Sequence, residues 1–176
     1  MNALEQKRTV GNMNKSASTR LSAILRDRTR TSTVAPSPKG AVRVLVVDGH
    51  PVVCPGITAC LAKLPNISTV AYAAEGRDAL GKARRLKPDI VVMGLDKPRM
   101  NGLDAMGVLL QKNPDIKVLI LSVHGHVEIV LRSLESGARG FVLKNAPAEE
   151  LVRAVETVHG GGVFFRKELR QVEPPK

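Results

Sequence analysis

Five short apolar runs recur along the middle of the chain, separated by longer segments of mixed polarity. They cover residues 42–47, 67–72, 90–93, 118–121 and 141–143. Runs of this length that are rich in valine, isoleucine and leucine are typical of strands buried on both faces. Each intervening segment is long enough for a helix, so the alternation predicts an α/β protein whose parallel sheet is covered by helices on both faces.

The segments between the runs carry signals of helix ends. Pro147 followed by Glu149 and Glu150 suits a first helical turn, because proline lacks only an N–H that has no helical partner there, and acids favour the positive end of the helix dipole. The glycines at 160–162 then predict the end of that helix. Ser136–Gly137 likewise predicts the end of the helix that precedes the last strand.

The first and third runs end in the residues with the most chemical content. Asp48 and Gly49 follow the first run, and Gly94 ends the third. In an open parallel sheet of order 2-1-3-4-5, ligands bind beyond the carboxyl ends of the first and third strands, where the winding reverses. Asp48 and Gly94 are therefore expected to flank the functional site.

Six motifs resemble the receiver domain of response regulators, in that family's order and spacing. They lie at residues 45–53, 74–80, 88–93, 98–104, 118–124 and 137–146. The resemblance is closest to the subfamily that is usually fused to a LuxR-type (NarL-type) helix-turn-helix. It implies a flavodoxin-like (CheY-like) fold, doubly wound with five parallel strands in the order 2-1-3-4-5. It also implies a cytoplasmic, bacterial protein of phosphorelay (two-component) signal transduction and transcription regulation.

The resemblance assigns roles to five positions of the site. In intact receivers, two acids after the first strand bind Mg²⁺, an aspartate after the third strand accepts the phosphoryl group, and a hydroxyl and a lysine contact the phosphoryl oxygens. Here the acid pair is Asp48 and Gly49, the phosphoacceptor position is Gly94, and the phosphoryl-contact positions are Ser122 and Lys144. Two of the three expected carboxylates are therefore missing.

These losses change the expected chemistry. Glycine has no nucleophile, so phosphorylation at Gly94 is excluded. One carboxylate is too little charge for Mg²⁺, so the expected cofactor is none, with at most weak Mg²⁺ binding through Asp48 and Asp96. Asp96 is a possible surrogate acid, although a solvated loop aspartate is the simpler interpretation. With the other acids absent, Asp48 and Lys144 are hypothesised to form a direct pair that mimics one fixed state of the switch.

Aromatic and histidine side chains near the strand ends add further candidates. Phe141 matches the family's switch aromatic, whose ring turns inward when the hydroxyl engages a phosphoryl group; a simple core role is the equal alternative. His50, beside the acidic pocket, is interpreted as a loop residue. His124 and His126 form a His-x-His, but no nearby cysteine or acid completes a metal site, so no metal site is expected there.

Composition suggests a three-part organisation. The chain has 176 residues, 43% of them hydrophobic but only 2% aromatic, which favours an aliphatic core. The net charge of +11 is concentrated at the ends, since residues 1–40 hold eight Lys/Arg against two acids. Residues 1–40 are predicted to be a disordered basic arm with a transient helix at 18–28, residues 41–165 a receiver-like domain, and residues 166–176 a short tail like a truncated linker. No apolar run is long enough to cross a membrane.

Three functional interpretations remain open. The first is a pseudo-receiver, not an enzyme, that binds a histidine kinase, another response regulator or a second copy of itself, through the helix after the fourth strand, the fifth strand and the last helix. The second is a nucleic-acid-associated regulator that binds non-specifically through residues 1–40. The third is a truncated remnant of a LuxR-type DNA-binding regulator.

Overall fold

A computed structural model of the chain describes residues 16–17, 19–21, 23–24, 41–95 and 102–165. Within these ranges the strands are β1 (Val42–Val47), β2 (Ile67–Ala73), β3 (Ile90–Gly94), β4 (Lys117–Ser122) and β5 (Gly140–Leu143). All neighbouring strands pair in parallel, in the order β2-β1-β3-β4-β5. The predicted strands and their order are confirmed, and the winding reverses between β1 and β3.

Five helices connect and cover the sheet. They are α1 (Val53–Leu61), α2 (Gly76–Leu86), α3 (Gly102–Lys112), α4 (Val127–Glu135) and α5 (Ala148–His159). One apolar layer joins the sheet to α2, α3 and α4, and the other joins it to α1 and α5. Successive residues of each strand alternate between the layers: Leu45 and Val47 belong to the first, and Val44 and Val46 to the second. Burial on both faces explains why the strands are apolar without a polar side.

The helix ends follow the local sequence. α4 ends at Glu135 with Ser136 as its C-cap, and Gly137 adopts a φ of 107°, the left-handed conformation that glycine tolerates. The Gly137 N–H then bonds the Leu134 carbonyl and the Ala138 N–H bonds the Ser133 carbonyl, which satisfies groups at the helix end. α5 has Pro147 as its N-cap and two acids in its first turn, as predicted.

The described part of the N-terminal arm is helical. It comprises residues 16–17, 19–21 and 23–24, and Leu21 is completely buried in the apolar layer of α2–α4. The sequence predicted a disordered arm with a transient helix at 18–28; the described helical residues overlap that segment and pack against the domain. The rest of segment 1–40 and the tail 166–176 lie outside the described residues.

The edge of β5 is covered by the chain itself. The Phe141 N–H bonds the Phe164 carbonyl, and the Phe164 N–H bonds the Arg139 carbonyl. Gly140 allows this approach, because a Cβ there would lie 2.6 Å from a Leu119 methyl carbon and 3.1 Å from the Phe164 carbonyl oxygen. In the part of the chain that the structure describes, no helix is long and apolar enough to cross a membrane.

Candidate functional site

Strand ends bring the candidate residues together at one edge of the sheet. Asp48 follows β1, Gly94 ends β3, Ser122 ends β4 and Lys144 follows β5. In the parallel register Gly94 pairs with Leu121, and Ser122 is one residue further along β4. The site therefore lies where the winding reverses, as the sequence predicted.

The Asp48 carboxylate is the centre of the site. Asp48 is only 4% exposed, and its Oδ2 lies 2.8 Å from the Lys144 Nζ. Its Oδ1 accepts a hydrogen bond from the His50 backbone N–H at 2.8 Å and lies 2.8 Å from the His50 Nδ1. The same Nδ1 is 3.3 Å from the Lys144 Nζ. Asp48, His50 and Lys144 form a compact cluster, which we call the Asp48 cluster.

These contacts govern the protonation of Asp48. Burial by itself raises the pKa of the carboxyl group. The Lys144 ammonium, the His50 backbone N–H and the His50 ring act in the opposite direction and outweigh burial, so the pKa of Asp48 lies below its ordinary value. The carboxylate is consequently ionised throughout the neutral range.

Gly94 has no room for a side chain in this arrangement. A Cβ at Gly94 would lie 2.2 Å from the Asp48 Oδ2 and 3.0 Å from its Cγ. Real Cβ atoms do not approach other atoms so closely, so either the carboxylate or the added carbon would have to move. The Asp48 carboxylate therefore occupies the space that a side chain at position 94 would need.

Gly49 differs from Gly94 in this respect. A Cβ at Gly49 would meet only the Ala74 carbonyl oxygen, at the ordinary contact distance of 3.5 Å. Within the described ranges, no group of three or more His, Cys, Asp or Glu side chains is arranged to hold a metal ion. The expected set of three carboxylates is thus represented here by Asp48, which is paired with Lys144.

Ser122 and Phe141 complete the comparison with the predicted positions. Ser122 is 1% exposed, and its Oγ accepts a hydrogen bond from the His124 N–H at 3.1 Å. The Lys144 N–H donates to the Ser122 carbonyl, so the hydroxyl and ammonium positions are adjacent through the backbone. Phe141 is also 1% exposed and lies in the apolar layer beneath α4.

An apolar groove adjoins the charged site. It has a volume of about 320 Å³ and lies between α1 and α5, with Val53, Ile57, Val142 and Leu151 among its lining residues. Lys144 also lines the groove, and its ammonium contacts the Asp48 carboxylate. The groove and the Asp48 cluster therefore share this lysine.

Residues 44–156 match the response regulator receiver domain family. The chain belongs to this family. It is 39% identical over 130 residues to the response regulator GacA of Pseudomonas viridiflava, a match that covers 74% of this chain and 61% of that protein. It is 35% identical over 124 residues to the transcriptional regulatory protein MctR of Rhizobium johnstonii, where 70% of this chain and 58% of that protein are covered.

Solved structures agree with this assignment. The two-component response regulator of the LuxR family from Aurantimonas sp. SI85-9A1 superimposes with a TM-score of 0.71 at 32% identity, covering 74% of this chain and 93% of that one. The signal receiver domain of the putative response regulator NarL from Mycobacterium tuberculosis gives 0.66 at 30% identity, with 69% and 98% covered. The match spans about 60% of the length of the curated relatives.

Membership of the receiver family clarifies which site residues the sequence revealed and which it did not. The direct Asp48–Lys144 pair, hypothesised from the loss of neighbouring acids, is present. Asp96, the possible surrogate acid, lies outside the described residues. His50 lies in the loop after β1, as interpreted from the sequence, and its ring also contacts both members of the pair, which the sequence did not reveal. In the sequence, the only indication of this contact was that His50 follows Asp48 by two residues.

Gly102 is a second residue whose role the sequence did not reveal. A Cβ at Gly102 would lie 2.7 Å from the Gly94 carbonyl oxygen and 3.1 Å from the Leu95 Cα. The start of α3 therefore packs directly on the end of β3, and only glycine permits this approach. The contact of Gly102 with the end of β3 is visible only in the tertiary structure.

Proposed function

We propose that this receiver domain is a pseudo-receiver, which works without phosphorylation and acts by binding other proteins. One observation carries the proposal. The Asp48 carboxylate, held by Lys144 and His50, fills the space in front of Gly94 where the resemblance to intact receivers places the phosphoacceptor side chain. The Asp48 carboxylate thus lies where an intact receiver would hold its phosphoryl group.

The chemistry of the cluster supports this function. Phosphoryl transfer needs a nucleophile and cations that are free to stabilise charge on the transferred group. Gly94 supplies no nucleophile, and the Lys144 ammonium is already 2.8 Å from a carboxylate. A phosphoryl group would have to displace that carboxylate from a buried pair, which is costly. We therefore infer that the protein has no enzymatic activity and no Mg²⁺ cofactor.

The position of Phe141 supports a fixed conformation. The ring is 1% exposed, as in the inward position that the family resemblance links to an engaged switch. We infer that the Asp48–Lys144 pair substitutes for the phosphorylation signal and holds one conformation of the switch. A partner that recognises this conformation would bind without any input from a kinase.

Family membership indicates the class of partner. Receiver domains work with histidine kinases, other regulators or second copies of themselves, and we propose one of these as the partner class. The proposed binding face comprises α4, β5 and α5. Its β5 edge is covered by Phe164, so contacts there would use side chains, because the strand edge is already paired.

Intact-mass analysis after incubation with acetyl phosphate and Mg²⁺ tests the proposal. The natural chain is compared with the Gly49→Asp, Gly94→Asp double variant, and an intact receiver confirms that the phosphate donor is active. We expect no phosphoryl adduct on the natural chain. Because an aspartate at 94 forces Asp48 to move, circular dichroism must first show that the double variant is folded.

An adduct on the natural chain would contradict the proposal, and peptide mapping would then identify the acceptor, with Asp48 and Asp96 as the first candidates. An adduct on the double variant alone would show that the scaffold still supports phosphorylation once the acids are restored. That result would assign the loss of phosphorylation to the two glycines.

A further inference from the structure

The N-terminal segment contributes a helical contact that lies outside the family match. The match begins at residue 44, whereas the described helical residues lie between 16 and 24. Leu21 has no exposed surface and Ala17 is 8% exposed, and both belong to the apolar layer of α2–α4. The receiver fold is therefore covered at one place by a segment that is not part of it.

The segment has the pattern of an amphipathic helix bound to a surface. Ala17, Leu21 and Ile24 are spaced by four and three residues and face the domain, while Thr19 and Ala23 are exposed. Arg20 forms an ion pair with Glu135 of α4. The occupant is thus defined by three apolar positions and one basic residue next to the central leucine.

The contact lies at the far end of α4 from the Asp48 cluster. Glu135 is the last residue of α4, and the helix begins on the side of the sheet where β4 ends. A Cβ at Gly137 would lie 2.6 Å from a Leu110 methyl carbon, so the ends of α3 and α4 are adjacent there. The Arg20–Glu135 ion pair places the N-terminal segment at this end of α4.

We propose that the end of α4 is a helix-binding surface for a partner protein, and that residues 16–24 are a tethered occupant which the partner's helix displaces. This inference rests on the proposed function as a protein-interaction module. The occupant chemistry is that of the internal helix: apolar residues at positions i, i+4 and i+7, with a basic residue at i+3 opposite Glu135. A partner with this pattern would reproduce the contacts described for Ala17, Arg20, Leu21 and Ile24.

The contact is small enough to exchange. Among the described residues of the segment, Leu21 is the one large side chain that is fully buried, and the Arg20–Glu135 pair is exposed, at 61% and 36% of its two side chains. Sixteen residues separate position 24 from position 41, and a chain of that length reaches up to about 55 Å when extended. The segment is therefore able to leave without pulling on β1.

A tethered occupant competes through its high effective concentration. A free helix of equal intrinsic affinity binds the full chain poorly while the segment is in place, and binds well once it is removed. Partner binding at this surface would accordingly depend on the fraction of molecules in which the segment has left. This dependence supplies the test.

The test uses a fluorescently labelled peptide of residues 12–28 and three full-length proteins: the natural chain, Leu21→Asp and Ala23→Asp. Leu21→Asp places a charge in the apolar layer and releases the internal helix, whereas Ala23→Asp places the same charge on its exposed face. By fluorescence anisotropy, we expect the peptide to bind Leu21→Asp at least about tenfold more tightly than the other two. Equal binding to all three proteins, or binding to none, would overturn the inference.

The ion pair provides a second arm. A peptide carrying Arg20→Glu should bind Leu21→Asp about two- to fivefold more weakly, and Glu135→Arg in the same protein should restore its binding. If the Arg20→Glu peptide binds Leu21→Asp equally weakly with and without Glu135→Arg, the peptide binds elsewhere on the domain. Neither result depends on acetyl phosphate, so a failure of this inference is distinguishable from a failure of the pseudo-receiver proposal.

If Leu21→Asp does not fold, hydrogen exchange on the natural chain tests the same inference. Excess unlabelled peptide should accelerate amide exchange within residues 16–24, because the internal helix is displaced, while the end of α4 stays protected under the new occupant. Unchanged exchange in residues 16–24 at saturating peptide would show that the segment is a fixed part of the fold.

Discussion

Replacing Gly94 by alanine is the smallest change that tests the arrangement of the site. The added Cβ would lie 2.2 Å from the Asp48 Oδ2, and ordinary contact begins at 3.4 Å, so the carboxylate has to move by more than an ångström. That movement changes the contact between Oδ2 and the Lys144 Nζ, which lies 2.8 Å from it. The substitution therefore disturbs a buried charge pair, although it introduces only a methyl group.

The magnitude follows from the cost of disturbing that pair. Removing the partner of a buried charge costs about 3–5 kcal/mol. Lys144 is able to follow the carboxylate part of the way, so we expect Gly94→Ala to lower the free energy of unfolding by about 2–4 kcal/mol. Gly107→Ala is the matched control, since a Cβ there meets nothing within 4 Å, and it should raise stability by about 0.5–1 kcal/mol.

A double-mutant cycle with Asp48→Ala isolates the cause. Once the Asp48 carboxylate is removed, the nearest atom to the added Cβ is the Val47 carbonyl oxygen, at 3.4 Å. Gly94→Ala should therefore be nearly neutral in the Asp48→Ala variant. The chain has one Tyr and no Trp, so urea unfolding is best followed by far-ultraviolet circular dichroism. An equal cost of Gly94→Ala in the natural chain and in the Asp48→Ala variant would refute the proposed collision with the carboxylate.

Three further predictions concern the same site. Lys144→Met should lower the free energy of unfolding by about 3–5 kcal/mol in urea titrations, because Asp48 loses its cationic partner; unchanged stability and unchanged partner binding would remove the hypothesis of a fixed switch. The lowered pKa of Asp48 stabilises the fold above the unfolded-state value of about 3.9, and this contribution is lost as the pH falls through the lower folded-state pKa. Asp48→Asn should therefore flatten the stability profile in that acid range, and an unaltered slope would count against the assignment. Millimolar Mg²⁺ should raise the Tm of the folded Gly49→Asp, Gly94→Asp variant and leave that of the natural chain unchanged, as measured by thermal circular dichroism.

The sequence by itself determined the strands, their parallel order and the residues at their ends. Runs such as Ile90–Gly94 are apolar because both faces are covered, and such patterns are local enough to be recognised without a structure. Parallel strands align their carboxyl ends, so Asp48, Gly94, Ser122 and Lys144 had to meet once the order was known. The absence of a nucleophile at Gly94 was likewise legible from the sequence.

Only the tertiary structure decided where the Asp48 carboxylate lies and what covers the end of α4. The carboxylate's direction is set by Lys144 and His50, which reach it from different parts of the chain. The N-terminal segment, predicted to be disordered with a transient helix at 18–28, has a helical part whose Leu21 is buried in the apolar layer of α2–α4. Both outcomes depend on contacts between residues distant in sequence, and differences of a few kcal/mol between alternatives decide them, which no local pattern encodes.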